Sequence, residues 1–333
     1  MIKLGIIYGG VSTEHDISLM SAKSVIENLD KEKYEIHEIY INKYGKWYDV
    51  RDDEIEEIYN LIWTLKKLDV VFPVLHGLGG EDGTIQGMLE MLQVPYVGCK
   101  VLASSVGMDK VYTKIIFEKA GIPEAPYVYI KKKESGYIIV NENFEEEEFK
   151  VESITKKLNY PMFVKPSNSG SSVGVKKATN NEELKMAIEN ASQYDNKILI
   201  EQGINAREVE CAILDGTEVK ASTVGEIMSA EEFYSFDAKY NIPESKTIIP
   251  ADISKEQIEQ IQKLAIRAFK AIDGRGLARV DFFIENDTNK IYINEINTMP
   301  GFTKISMYPK LFEAVGIKYS ELLDKLIANA IKD

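Results

Sequence analysis

The sequence predicts an α/β protein of more than one domain, opening on a parallel sheet with crossover helices. Three observations predict it. Short buried apolar runs alternate with segments of helical period through residue 92. The chain has 333 residues and is 44% apolar, enough for two or three ordinary cores. Its last third carries apolar runs of strand length whose polar residues fall on one face.

In chain order, residues 2–8 form a buried strand ending in Gly9-Gly10. Residues 14–29 follow as a helix, with Ile17, Met20, Ala22, Val25, Ile26 and Leu29 at helical spacing. A strand at 34–41, a helix near 54–67 and a strand at 70–75 complete a βαβ-like alternation. Strand ends such as Gly9-Gly10 and His76-Gly77 are where open α/β sheets place ligands. Residues 76–84 make a Gly-rich loop before a helix at 84–92. Asp82 or Thr84 would cap that helix, while His76 is a ligand candidate. Residues 131–157, with Lys131-Lys132-Lys133 and Glu145-Glu146-Glu147-Glu148, predict a solvated hairpin and the start of a surface helix. A second α+β unit spans about 108–200, with strands at 162–165 and 197–202 and a helix at 182–191 between them. Residues 201–333 hold a third sheet and two closing helices, 255–272 and 319–332.

The formal net charge of −13 argues against nucleic acid or an anionic membrane as partner, because both need a basic footprint. Nucleotides need only a local cluster of lysines. Cys99 and Cys211 lie far apart without metal-ligand spacing and read as small buried residues in a reducing compartment. No run reaches the length of a membrane span, and the N-terminus is too short for a signal peptide core. A cytoplasmic protein is expected.

Chemistry concentrates in two segments, Ala278-Arg279-Val280-Asp281 and Asn294-Glu295-Ile296-Asn297-Thr298-Met299-Pro300-Gly301. Strand period two puts Arg279 with Asp281 and Glu295 with Asn297. Paired, these strands offer two carboxylates, an amide oxygen and a guanidinium. Hard oxygen donors suit Mg²⁺, and the cation suits a second developing negative charge. The competing reading is a solvated hairpin with ordinary ion pairs; an apolar opposite face weighs against it. Lys165-Pro166-Ser167-Asn168-Ser169-Gly170-Ser171-Ser172-Val173-Gly174 is a small-residue loop after a strand. It either closes over phosphates with its N–H groups or is a hairpin turn. Glu201 and Glu208, flanking Ile204, could hold an adenine and a ribose or be surface acids. The segment 226–250 contains Phe233, Tyr234, Phe236 and Tyr240, an aromatic content that favours a lid over disorder.

Together these segments resemble the ATP-grasp ligases, and among them the D-alanine:D-alanine ligases, over essentially the whole chain. The segments that carry the resemblance are Gly9-Gly10-Val11-Ser12-Thr13-Glu14-His15-Asp16-Ile17-Ser18, residues 76–87, Met108-Asp109-Lys110, the 165–174 loop, Ala238-Lys239-Tyr240 and both metal strands. The resemblance implies a three-domain ATP-grasp architecture: an N-terminal open parallel α/β domain, 1–103, and two α+β domains, 104–200 and 201–333, that clamp ATP, with the lid at 226–250. It implies that Lys110, Lys165, Ser172 and Lys239 meet the ATP phosphates and that Glu201, Ile204 and Glu208 hold adenine and ribose. Asp281, Glu295 and Asn297 would hold two Mg²⁺ ions, for which Mn²⁺ could substitute. The first D-alanine would become an acyl phosphate, its ammonium on Glu14 with Ser171 and Tyr240 in support and His76 nearby. Arg279 and the Gly301 N–H would form the oxyanion hole for attack by the second D-alanine. Ser306 and Met307 would line the second subsite, where apolar Met307 fits D-alanine. The family also implies a homodimer. Asn168-Ser169, Gln202 and Phe236 depart from common family patterns. The alternatives are D-serine as second substrate and a non-catalytic nucleotide-binding regulator. A regulator should have lost a metal ligand or the oxyanion arginine, and this chain retains both.

Overall fold

The structure is a computed structural model that describes residues 1–51, 54–228 and 246–332. The first sheet has β1 (Ile2–Gly9) between parallel partners β2 (Tyr34–Ile41) and β5 (Val70–Val74). Strands β3 (Trp47–Arg51) and β4 (Glu54–Glu57) extend it antiparallel at the β2 edge. Helix α1 (His15–Asn28) crosses from β1 and buries Ile17, Ala22 and Val25 together with three serines. Two of them satisfy backbone: Ser18 accepts from Gly9 N–H at 2.8 Å and donates to the Val74 carbonyl, and Ser21 accepts from Phe302 N–H at 3.2 Å.

The helix expected over 54–67 is corrected. Glu54-Ile55-Glu56-Glu57 pairs with β3 as an exposed edge strand, and only α2 (Leu61–Leu65) is helical, capped by Asn60 on Trp63 N–H. An open sheet edge outweighs the helix preference of glutamate, and a charged edge strand also resists edge-to-edge association. Beyond β5 come α3 (Thr84–Leu92), α4 (Val101–Met108) and α5 (Lys110–Lys119). The cap of α3 is Gly83 (φ +91°), not Asp82 or Thr84 as expected; Asp82, one residue earlier, accepts from the N–H groups of Gly79 and Thr84.

The second sheet is built from β6 (Tyr127–Lys133), β7 (Gly136–Val140), β8 (Glu146–Glu148), β9 (Met162–Pro166), β10 (Lys176–Ala178) and β11 (Lys197–Gln202), ordered β10-β9-β11-β6-β7-β8. The expected hairpin is β6–β7. The acidic run, however, is edge strand β8, and the short helix α6 (Val151–Thr155) begins after it. Helix α7 (Asn181–Ala191), capped by Asn180, packs Leu184, Ala187 and Ile188 on this sheet.

The third sheet runs β14-β13-β12-β15-β16. Its strands are β12 (Ala206–Leu214), β13 (Lys220–Met228), β14 (Lys246–Ile248), β15 (Leu277–Glu285) and β16 (Ile291–Asn297). Helix α8 (Lys255–Ala271) starts at a Ser254/Gln257 capping box and buries Ile261, Leu264, Ala265 and Phe269. Helices α9 (Met307–Glu313) and α10 (Tyr319–Lys332) follow. Phe302, Tyr308, Phe312 and Leu326 share one core with Leu4, Ile6 and Phe72 of the first sheet. That shared core locks the first sheet onto the third, so residues far apart in sequence meet with defined geometry.

Candidate active site

The site is built on the β15–β16 pair. Arg279 lies opposite Asn297 and Asp281 opposite Glu295, as the alternation predicts. The next pair is Phe282 with Ile293, so Asn294 is an extra residue in a β-bulge. The bulge is necessary. Strict alternation would put Ile291 and Ile293 on the same face as Glu295 and Asn297. With Asn294 inserted, Ile291, Ile293 and Ile296 are all buried in the core while Glu295 and Asn297 face the cleft. On the other side of β15, Glu210 of β12 pairs with Asp281. Glu210, Asp281 and Glu295 thus form one row across three strands. Arg279 lies beside them, donating from Nε and Nη2 to Asp281 at 2.7 Å each, with Nε 3.1 Å from Glu210. Burial opposes its charge, but Asp281 and Glu210 raise its pKa well above the usual guanidinium value.

The row faces a cleft of about 950 Å³ lined by strands of the second and third sheets and, from the first unit, by Glu14, His76 and Glu81 of the loops after β1 and β5. The donor chemistry, carboxylates and the Asn297 amide oxygen, fits a hard divalent cation. Among the described residues, no three His, Cys, Asp or Glu groups converge as a metal cage; here the Asp281 carboxylate engages Arg279.

One end of the cleft belongs to Glu14. It is buried, takes a hydrogen bond from the Ser171 hydroxyl, and lies between two glycines from different parts of the chain. A Cβ on Gly77 (φ +71°) or on Gly170 would come within 2.7 Å of Glu14 Oε2. Ser171 and Ser172 both have left-handed backbone (φ 48° and 60°), a strained arrangement that turns the 167–174 loop into the cleft. His76 is buried between Ser21 Oγ (3.0 Å from Nε2) and the Met299 carbonyl (3.1 Å from Nδ1). Burial lowers its pKa against the pull of Glu14. The neutral ring donates from Nδ1 and ties the end of β5 to the 299–302 loop.

The other end holds the lysines. Asp109 caps α5 and binds Ser167, Asn168 and Lys197, fastening the loop to the helix that carries Lys110. Lys110 Nζ donates to Ser169 O at 2.5 Å. Lys165 pairs with Glu201 at 2.6 Å. Burial alone would raise the Glu201 pKa, but Lys114 and Lys165 outweigh it and hold the carboxyl at about 2. Ile204, Glu208, Ser172 and Gly301 also line the cleft. Ser306 Oγ accepts from Thr303 N–H at 3.0 Å, and Met307 belongs to the shared core while lining one wall. Lys239 and Tyr240 lie outside the described residues. The ends of the expected lid segment are strands, Glu226 pairing with Ile248 and Met228 with Lys246.

Sequence reasoning missed several cleft residues: Glu81, Glu210, Lys177, Lys246 and Lys310. Glu81 accepts from Gly77 N–H at 2.7 Å, and burial together with Glu14 pushes its pKa up to about 8. A second acid five residues after His76, in a loop already marked by glycines, was the available signal.

Three sheets, the second and third walling a cleft of about 950 Å³ that loops of the first unit close at one end, define an ATP-grasp architecture. Family models for the D-ala D-ala ligase N-terminus and C-terminus match residues 3–99 and 116–328. The chain belongs to the D-alanine–D-alanine ligase family. It is 50% identical to the D-alanine–D-alanine ligase of Acetivibrio thermocellus, over 98% of this chain and 95% of that one. The enzyme of the same name from Caldicellulosiruptor bescii is 48% identical over 99% and 95%. Among solved structures, the VanG D-Ala:D-Ser ligase of Enterococcus faecalis superposes with a TM-score of 0.86 at 35% identity, covering 99% of each chain. The D-alanine–D-alanine ligase of Coxiella burnetii gives 0.85 at 35%, covering 99% of this chain and 94% of that one.

Proposed function

We propose that this protein joins two D-alanine molecules at the expense of ATP, yielding D-alanyl-D-alanine for peptidoglycan precursors, ADP and phosphate. The observation that carries the reading is the cleft itself. It collects a buried carboxylate (Glu14) from the loop after β1, an acidic row with an arginine (Glu210, Asp281, Glu295, Arg279) from the third sheet, and two lysines, Lys110 from α5 and Lys165 from β9. Glu14 holds the ammonium of the first D-alanine, oriented by Ser171. The carboxylate of that D-alanine attacks the γ-phosphorus of ATP, releasing ADP and leaving an acyl phosphate. Lys110, Lys165, Ser172 and Lys239 bind the phosphates, with adenine and ribose on Glu201, Ile204 and Glu208. The second D-alanine, held at Ser306 and Met307, attacks the acyl carbon through its amine and phosphate departs. Arg279 and the Gly301 N–H stabilise the oxyanion of that step. Asp281, Glu295 and Asn297 would hold two Mg²⁺ ions, which when bound neutralise charge on the transferring phosphoryl group. His76 positions the 299–302 loop, and Tyr240 supports Glu14.

We further read residues 1–103, 104–200 and 201–333 as the three domains, the active form as a homodimer, and the location as cytoplasmic. Two separated thiols and an ATP-consuming reaction support that location. Among the described residues, no helix is long and apolar enough to cross a membrane. The likeness to a D-Ala:D-Ser ligase keeps D-serine as a second reading. Apolar Met307, which offers a hydroxymethyl group no hydrogen bond, favours D-alanine. The test is phosphate release with ATP and Mg²⁺. Release only with D-alanine present, one phosphate per dipeptide, supports the reading; ATP hydrolysis independent of D-alanine overturns it.

A further inference from the structure

Lys114 is among the most buried charged side chains of the molecule, with 3% of its surface exposed. It lies one helical turn beyond Lys110 on the same face of α5. Its Nζ is 2.7 Å from Glu201 Oε1 and 3.5 Å from Glu124 Oε2. The other Glu201 oxygen, Oε2, pairs with Lys165 at 2.6 Å. One buried carboxylate is therefore shared between two lysines, one oxygen each. A small pocket of about 20 Å³, room for about one water, is lined by Lys110, Lys114, Lys165, Glu201 and Glu295, so Lys114 belongs to the lysine end of the cleft.

We propose that Lys114 is a positioning residue for nucleotide binding: it neutralises Glu201 and so leaves the charge of Lys165 for a phosphate. Lys114, Lys165 and Glu201 together carry one net positive charge. Without Lys114 the remaining pair is neutral, and Glu201 can turn both oxygens to Lys165. A phosphate then meets a lysine already committed to a carboxylate, in a site where burial makes each charge count strongly. Glu124, in the α5–β6 connection, is a second and looser neighbour of the Lys114 ammonium at 3.5 Å, and burial raises its carboxyl to about 7 despite Lys114.

The inference rests on the cleft being an ATP site, and the experiment separates the two. ADP binding to the full chain is measured by titration calorimetry, and KM for ATP and for D-alanine by phosphate release. Lys114→Met is expected to weaken ADP binding and raise KM for ATP roughly ten- to hundredfold. KM for D-alanine should be unchanged, and Lys114→Arg should recover most of the loss. The double variant Lys114→Met/Glu124→Gln removes the charge pair together, leaves no orphaned buried carboxylate at 124, and should show the same loss if the single variant folds poorly. Failure of the parent protein to bind ADP overturns the ATP-site reading and the inference with it. A parent that binds, with variants that bind equally well or lose both substrates in parallel, overturns the role of Lys114 alone.

Discussion

Replacing Arg279 by lysine tests the oxyanion-stabilising role proposed for its forked guanidinium. Arg279 makes two 2.7 Å bonds to Asp281 and one 3.1 Å contact to Glu210. A neutral replacement would leave two buried carboxylates uncompensated, at a cost of about 3–5 kcal/mol, and would confuse folding with catalysis. Lysine keeps the charge between Asp281 and Glu210, so the fold survives with a melting temperature within a few degrees of the parent. A single ammonium cannot satisfy Asp281 in bidentate fashion and also present a donor to a developing oxyanion. Loss of one such donor is worth about 3 kcal/mol, roughly a hundredfold or more in kcat. The assay is phosphate release at saturating ATP and D-alanine, with thermal unfolding run in parallel. A folded Arg279→Lys protein with kcat within about threefold of the parent would refute the oxyanion assignment.

Two further predictions concern the acids. Glu295→Gln removes one hard anionic ligand, so the Mg²⁺ concentration giving half-maximal turnover should rise at least roughly tenfold; an unchanged Mg²⁺ titration excludes Glu295 as a ligand. Glu81 keeps its proton up to about pH 8 when folded, whereas its ordinary value is 4.5. Between those values the folded state binds the extra proton, so Glu81 makes stability fall as pH rises from 4.5 to 8. Glu81→Gln should therefore melt higher than the parent at pH 8 and close to it near pH 4, and identical melting curves at pH 8 would contradict the burial argument.

The acidic strands were legible in sequence because their chemistry is local. Arg279, Asp281, Glu295 and Asn297 fall two apart, and period two needs no knowledge of the fold. The bulge at Asn294 was half legible: the spacing Ile291, Ile293, Ile296 breaks alternation, but only pairing with β15 says where the extra residue sits. Glu210 was not legible, since its place beside Asp281 depends on a strand some seventy residues away. Glu14 entered only through the family resemblance; its confinement by Gly77 and Gly170 arises only after three segments converge. Glu81 read as part of a turn because burial, which makes it unusual, is a tertiary property. Residues 54–57 were misread because helix preference is intrinsic to glutamate, while the edge of β3 that captured them is not visible in composition.

The central claim, D-alanine in both subsites, is tested most directly by competition. The enzyme is given ATP, Mg²⁺ and equal concentrations of D-alanine and D-serine, and the dipeptides are counted by mass spectrometry. With Met307 as the proposed wall of the second subsite, a buried hydroxyl is left unsatisfied, a penalty of about 1–3 kcal/mol or roughly ten- to a hundredfold. D-alanyl-D-alanine should therefore dominate by at least about tenfold. A product dominated by D-alanyl-D-serine, or ATP turnover with no dipeptide formed, would contradict the account.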